Sequence, residues 1–393
     1  MIGTYRHWVE GRDDPFVPDV AYSRQFFDVC RAAGASAWVI SAHREAGFLE
    51  DGPFRIEHRP IPWDDRGGLR FHSGRLLYGL GFLRSALRYR ADVVIAAHGI
   101  PWHVLSLIAQ TGRQVIPAVH NTLWLASTPP DRAARAFLRL ARPLFARDSL
   151  AILSHPGTCV EQVRALTGGR PRPIVPFLSF YRRDTFGGLS ERAKAWRPFR
   201  VLYAGRVETE KGVFDLLEVA RLLAKEGRSE IEFDVCGTGS ALEQLRRSVD
   251  AAGLGARFRC HGWLDMETYR SMFGQCHVVV VPTRRDYTEG FNAVIVEAVL
   301  AGRPVIASRV CPSLGLVQDA SLGVAAEDIA GYKAALLSLC DDPGHYERKR
   351  QATQRVQEQF YDPERSWGAG LQRILEAFQQ QREVTAGRVW GAP

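Results

Sequence analysis

Four runs in the second half of the chain, RVLYAG, IEFDVCG, HVVVVPT and RPVIAS, are short, rich in β-branched residues and almost continuously apolar. A strand with one wet face alternates apolar and polar residues. A strand that is apolar throughout must be covered on both faces, and the usual cover is helices in parallel βαβ units. Helical segments are expected at residues 212–226, 241–252, 266–273 and 291–301, between or after these runs. The first half repeats the pattern: SAWVIS, DVVIAA, RQVIPAV and SLAIL alternate with helical segments at 21–33, 74–90, 102–110, 131–146 and 157–167. The expectation is an α/β protein with two doubly wound, Rossmann-like sheets.

A chain of 393 residues exceeds what one core usually supports. The stretch PFLSFYRRDTFGGLSERAKAWRPFR, broken by Gly and Pro and lacking a clean period, reads as the linker between residues 1–180 and 181–364. In open parallel sheets ligands bind beyond the carboxyl ends of the strands, so a cleft faced by both domains is the expected site. With 46% hydrophobic and 24% charged residues, the composition excludes a disordered or fibrous chain. No run of 18 apolar residues occurs, and the N-terminus lacks the basic-then-apolar order of a secretory signal. Seven cysteines without a C-x-x-C pair fit a reducing compartment, so a cytoplasmic protein is expected. Residues 1–180 carry 22 arginines and no lysine against 15 acids. Blocks such as RFHSGRLLYGLGFLRSALRYR mix arginine with leucine and aromatics, which suits either packing on a sheet or peripheral contact with an anionic membrane.

Two stretches carry chemistry. VLYAGRVETEKGVFDLLEVARLL is a buried strand, a polar loop with Arg206 and Lys211, and a helix. A guanidinium and an ammonium at a helix N-terminus are what a diphosphate needs, although a solvated loop would look the same. TEGFNAVIVEAVLAG places Glu289 just ahead of a helix and Glu297 eight residues later. Glu289 could simply cap the helix. Glu297 has no charged neighbour from Phe291 to Gly302, so burying it unpartnered would cost several kcal/mol, and a polar partner is required. Eight residues of regular helix separate the two carboxylates by about 12 Å, a span that suits two ends of one extended ligand.

The E-x7-E of EGFNAVIVE, with GRVETEKG upstream and CGTGS and HGWL between, resembles the C-terminal domain of the family 4 glycosyltransferases over roughly residues 198–310. The resemblance implies a GT-B fold, with two Rossmann-like domains and a last helix, about 365–393, crossing back to the first. It implies a retaining hexosyltransferase using a nucleotide-diphosphate sugar, UDP- or GDP-linked, with no cofactor and no metal. Arg206 and Lys211 would neutralise the diphosphate. Glu289 would contact the transferred sugar, and the backbone amides of Gly290, Phe291 and Asn292 would hold the distal phosphate. Glu297 would accept from the ribose hydroxyls, and Gly239 of CGTGS is a further candidate. The family usually has Gly where this chain has Asn292.

In the first half, DVVIAAHGIPWHVLSLIAQTGRQVIPAVHNTLW is similar to the family's two strands that each end in His, giving His98 and His120. His120 would serve the donor sugar's 6-hydroxyl and the developing charge. The family's Gly-Gly loop after the first strand is missing, leaving Tyr5, Arg6 and His7 as acceptor-side candidates. The implied route is a front-face displacement helped by electrostatic stabilisation of the leaving group. A lipid-linked acceptor in polysaccharide or glycolipid assembly is expected; a small soluble natural product is the alternative, and no nucleic-acid partner is expected. A nicotinamide enzyme could be argued from Gly237-Thr238-Gly239, but Leu242 stands at the third glycine position. A sugar-nucleotide epimerase on the same fold is the other rival.

Overall fold

The structure is a computed structural model describing residues 22–43, 46–60, 68–96, 101–125, 129–189 and 195–390. His98 and the trio Tyr5, Arg6 and His7 fall outside them. The chain divides into two compact units, one of residues 1–123, 130–180 and 363–393, the other of residues 124–129 and 181–362.

In the second unit six strands, all parallel, form one sheet. They are β8 (Phe199–Ala204), β9 (Ile231–Cys236), β10 (Phe258–Gly262), β11 (Val278–Val281), β12 (Val305–Ser308) and β13 (Ser321–Val324), in the order β10-β9-β8-β11-β12-β13. All four valines of β11 are buried, because helices cover both faces. Burying each such side chain contributes about 1.5–3 kcal/mol. The chain runs outward from β8 to β10, then returns to lay β11 on the other side of β8. The loops after β8 and β11 therefore flank the topological switch point, where open sheets bind ligands.

The first unit holds two sheets where one was expected. β1 (Ala37–His43), β2 (Gly47–Asp51) and β3 (Phe54–Pro60) form the sheet β1-β3-β2, with β2 antiparallel. β4 (Val93–Ala96), β5 (Gln114–Val119), β6 (Ile152–Ser154) and β7 (Ile174–Pro176) form a parallel sheet in sequence order. β1 and β4 do not pair; a cavity of about 470 Å³, lined by Ala37–Ile40 and Val93–Ala96 among others, lies between them. The hairpin strand β2 arises at Asp51-Gly52, where Gly52 takes a φ of +56°. The last helix, Trp367–Trp390, belongs to this unit: Gly368 N–H donates to Gln25 Oε1 at 2.7 Å, and Trp367, Leu371 and Ile374 pack with Val29, Ile116 and Ala118.

Candidate functional site

The chain leaves β8 through Gly205 and turns into the helix Val213–Lys225 at Gly212, whose φ is +77°. A Cβ on Gly212 would stand 1.9 Å from the carbonyl oxygen of Pro282, which follows β11. Only glycine lets the two loops approach this closely. The approach brings Lys211, from the first loop, to Glu289, from the second: Nζ lies 2.5 Å from Oε1. Thr283 Oγ1 donates to the same oxygen at 2.7 Å. Glu289 is only 7% exposed, so the lysine partner is what makes its burial as an ion tolerable. Gly239, after β9, abuts the first loop, since a Cβ there would meet the Val207 carbonyl at 2.2 Å.

Tyr287 is one of the residues that sequence reasoning missed. Arg206 donates to its hydroxyl, and Lys211 Nζ stands 4.1 Å from its ring centroid. One phenol thus partners both cations assigned to the diphosphate. An aromatic among the charged residues of the loop TRRDYTEGFN was the available signal. The loop is pinned by Arg284, which pairs with Asp215 at 2.9 Å, and by Arg285, which pairs with Glu327 at 2.6 Å.

The helix after this loop is Ala293–Leu300. Asn292 precedes it, and its N–H donates to Ser313 Oγ at 2.9 Å. That amide, expected to hold a phosphate, already has an acceptor, because the asparagine and the serine sit face to face. Glu297, partly buried two turns along, has the partners its position demanded: Tyr269 Oη donates to Oε2 at 2.6 Å and Tyr181 Oη approaches Oε1 at 3.4 Å. Burial pushes the Glu297 carboxyl up, against the pull of the two phenols, and pushes the Tyr269 hydroxyl well above its ordinary value. Two phenols leave lone pairs on a carboxylate that can accept about four hydrogen bonds.

His120 follows β5 in the first unit. Its ring lies 5.6 Å from that of His155 and 5.2 Å from that of Phe177. His155, at the end of β6, is buried; burial lowers its imidazole to about 3 despite a 3.3 Å hydrogen bond between Nδ1 and the Phe177 carbonyl. Among the described residues, one group of Glu, Asp and Cys has the spacing to hold a metal ion: Glu230, Cys340 and Asp341. Arg197 and Arg228 pair with its acids, at 3.1 Å and 2.7 Å for Glu230, so the negative charge there is already met.

Residues 190–356, which contain Arg206, Lys211, Tyr287, Glu289 and Glu297, match the family Glycosyl transferases group 1.

An alpha-D-kanosaminyltransferase of Streptomyces kanamyceticus is 26% identical over 320 residues, 75% of this chain and 81% of that protein. Among solved structures, sucrose-phosphate synthase of Thermosynechococcus elongatus superposes with a TM-score of 0.64 at 17% identity, covering 93% of both chains. The Anabaena protein Alr3699/HepE, solved in complex with UDP and glucose, superposes at 0.60 and 14% identity, covering 93% of this chain and 96% of that one. The chain has the GT-B fold.

Proposed function

We propose that this protein is a retaining glycosyltransferase of the family 4 type, moving a hexosyl unit from a nucleoside-diphosphate sugar to an acceptor hydroxyl in polysaccharide or glycolipid assembly. The observation that carries the reading is the convergence of Lys211, Arg206 and a buried Glu289 on the loops after β8 and β11, at the sheet's switch point. In this reading Arg206 and Lys211 take the diphosphate, and Tyr287 gives way to it. Glu289 accepts from a hydroxyl of the transferred sugar. Glu297 accepts from the ribose through the lone pairs its two tyrosines leave.

In the chemical step the bond from the anomeric carbon to the diphosphate oxygen breaks while the bond to the acceptor oxygen forms on the same face. The acceptor's proton goes to the departing phosphate oxygen. Charge accumulating on that oxygen is what the two fixed cations stabilise, the kind of term that commonly dominates such catalysis. No group beyond the donor is needed. The UDP held by the Anabaena structure supports uridine as the first base to test.

The experiment is incubation with UDP-, GDP- and ADP-linked radiolabelled hexoses plus a membrane lipid extract. The reading expects label in the lipid-extractable fraction with one nucleotide. Label in a water-soluble glycoside would move the acceptor to a small molecule. An altered nucleotide sugar with no glycoside formed would replace the reading with an epimerase.

A further inference from the structure

The first unit has a face that the donor chemistry leaves unused. Three helices, Gly68–Tyr89, Trp102–Gln110 and Arg132–Pro143, pack in series. The first meets the second at Gly79, where a Cβ would stand 3.2 Å from the Val104 methyls; the second meets the third where the His103 and Phe137 rings stack at 5.1 Å. The last two of these helices connect successive strands of the parallel sheet β4-β5-β6, and right-handed crossovers put both on one side of it.

Their outer surfaces carry large apolar side chains that stand exposed. On the first helix Leu76, Leu77, Leu80 and Leu87 are exposed, Leu77 by 66%. At that spacing they form a stripe on the solvent side. Leu107 on the second helix, with Phe137 and Leu140 on the third, continues the series, Leu140 being 61% exposed. Between and beside them stand Arg84, Arg88, Arg132, Arg139 and Arg142, none paired with a carboxylate among the described residues. The three helices contain no Asp or Glu at all, and Asp131, which precedes the third, is engaged as its cap by Ala134 N–H at 2.7 Å.

Exposed leucines exclude a purely electrostatic partner such as nucleic acid, and unpaired arginines exclude a neutral apolar one. We infer that this three-helix face docks on an anionic lipid surface, with the leucines entering the acyl boundary and the arginines meeting the headgroups. No helix among the described residues is long and apolar enough to cross a membrane, so the contact is peripheral. The inference stands independently of the donor site.

The test is co-sedimentation of the full chain with phosphatidylcholine vesicles containing about one-third phosphatidylglycerol, at low and high salt, without nucleotide. The wild type is expected to bind these vesicles at low salt, release as salt rises, and ignore pure phosphatidylcholine. Leu77→Ser with Leu140→Ser should lower the partition coefficient by about tenfold, and Arg84→Gln with Arg139→Gln by roughly fivefold per arginine. Both pairs are exposed, so unchanged melting temperatures would show that the fold is intact. Absence of binding to the anionic vesicles overturns the inference, as does binding that the leucine and arginine pairs leave unchanged. So does a leucine-dependent dimer in gel filtration without vesicle binding, which would assign the face to a second copy of the chain.

Discussion

Lys211 and Glu289, 78 residues apart in sequence, meet at 2.5 Å because β8 and β11 are neighbours in the sheet and each sends its following loop over the same end. Removing one partner strands a charge in a nearly dry site. Lys211→Met should therefore destabilise the second unit by about 3–5 kcal/mol, whereas Lys211→Met with Glu289→Met should recover most of that loss without restoring transfer. Denaturant unfolding of the single and double variants checks it, with turnover measured in parallel.

Tyr287 occupies both cations that the proposed diphosphate needs. Tyr287→Phe removes the hydroxyl that Arg206 holds and keeps the ring over Lys211. The expected result is tighter UDP binding, by roughly two- to tenfold if the lost hydrogen bond is worth the usual 0.5–1.5 kcal/mol. Titration calorimetry reads it, and weaker binding would mean that Tyr287 helps hold the ligand.

Glu297 is costly to bury as an ion, and its raised carboxyl reflects that cost. Glu297→Gln should raise the stability of the ligand-free protein by about 1 kcal/mol at neutral pH while weakening UDP binding about tenfold or more. Tyr269→Phe should do the opposite for stability, costing about 1–3 kcal/mol by leaving the carboxylate one donor short. Melting curves with and without UDP separate the two effects.

His155 and His277 are buried and neutral, lowered by burial to about 3 and about 4. In the unfolded chain they bind protons near pH 6.5, so folding is favoured above that value and the contribution is lost as pH falls toward the folded values. For His277, whose Nδ1 accepts from Arg200 N–H at 2.9 Å, the loss amounts to about 3 kcal/mol between pH 6.5 and 4. Urea unfolding across that range should show stability falling with pH, and His277→Gln should flatten the slope.

The parallel strands β4, β5, β6, β8, β9, β11 and β12 were legible because double-sided burial leaves continuous Val and Ile runs, as in β11 and β12, whereas the short strands β7, β10 and β13 carry no such run and were not read. The hairpin β2-β3 was not: Arg55, Glu57 and Arg59 alternate with Phe54, Ile56 and His58, and the charges obscure a short strand with one wet face. The helix Pro343–Tyr361 escaped for a related reason, burying only Tyr346, Ala352, Thr353 and Phe360 along 19 residues. At the site, the sequence demanded a polar partner for Glu297 but could not name it, since Tyr181 lies 116 residues away. Neither could it supply the Lys211–Glu289 contact, which depends on strand order. The Asn292 departure from the family's Gly was visible, but its consequence, an amide turned to Ser313, required coordinates.

The most direct test is a crystal structure of the protein with UDP. The account predicts the ribose hydroxyls within about 3 Å of the Glu297 carboxylate and the diphosphate against Lys211 and Arg206, with Tyr287 displaced. A nucleotide bound elsewhere, leaving Glu297 touched only by Tyr269 and Tyr181, would contradict it.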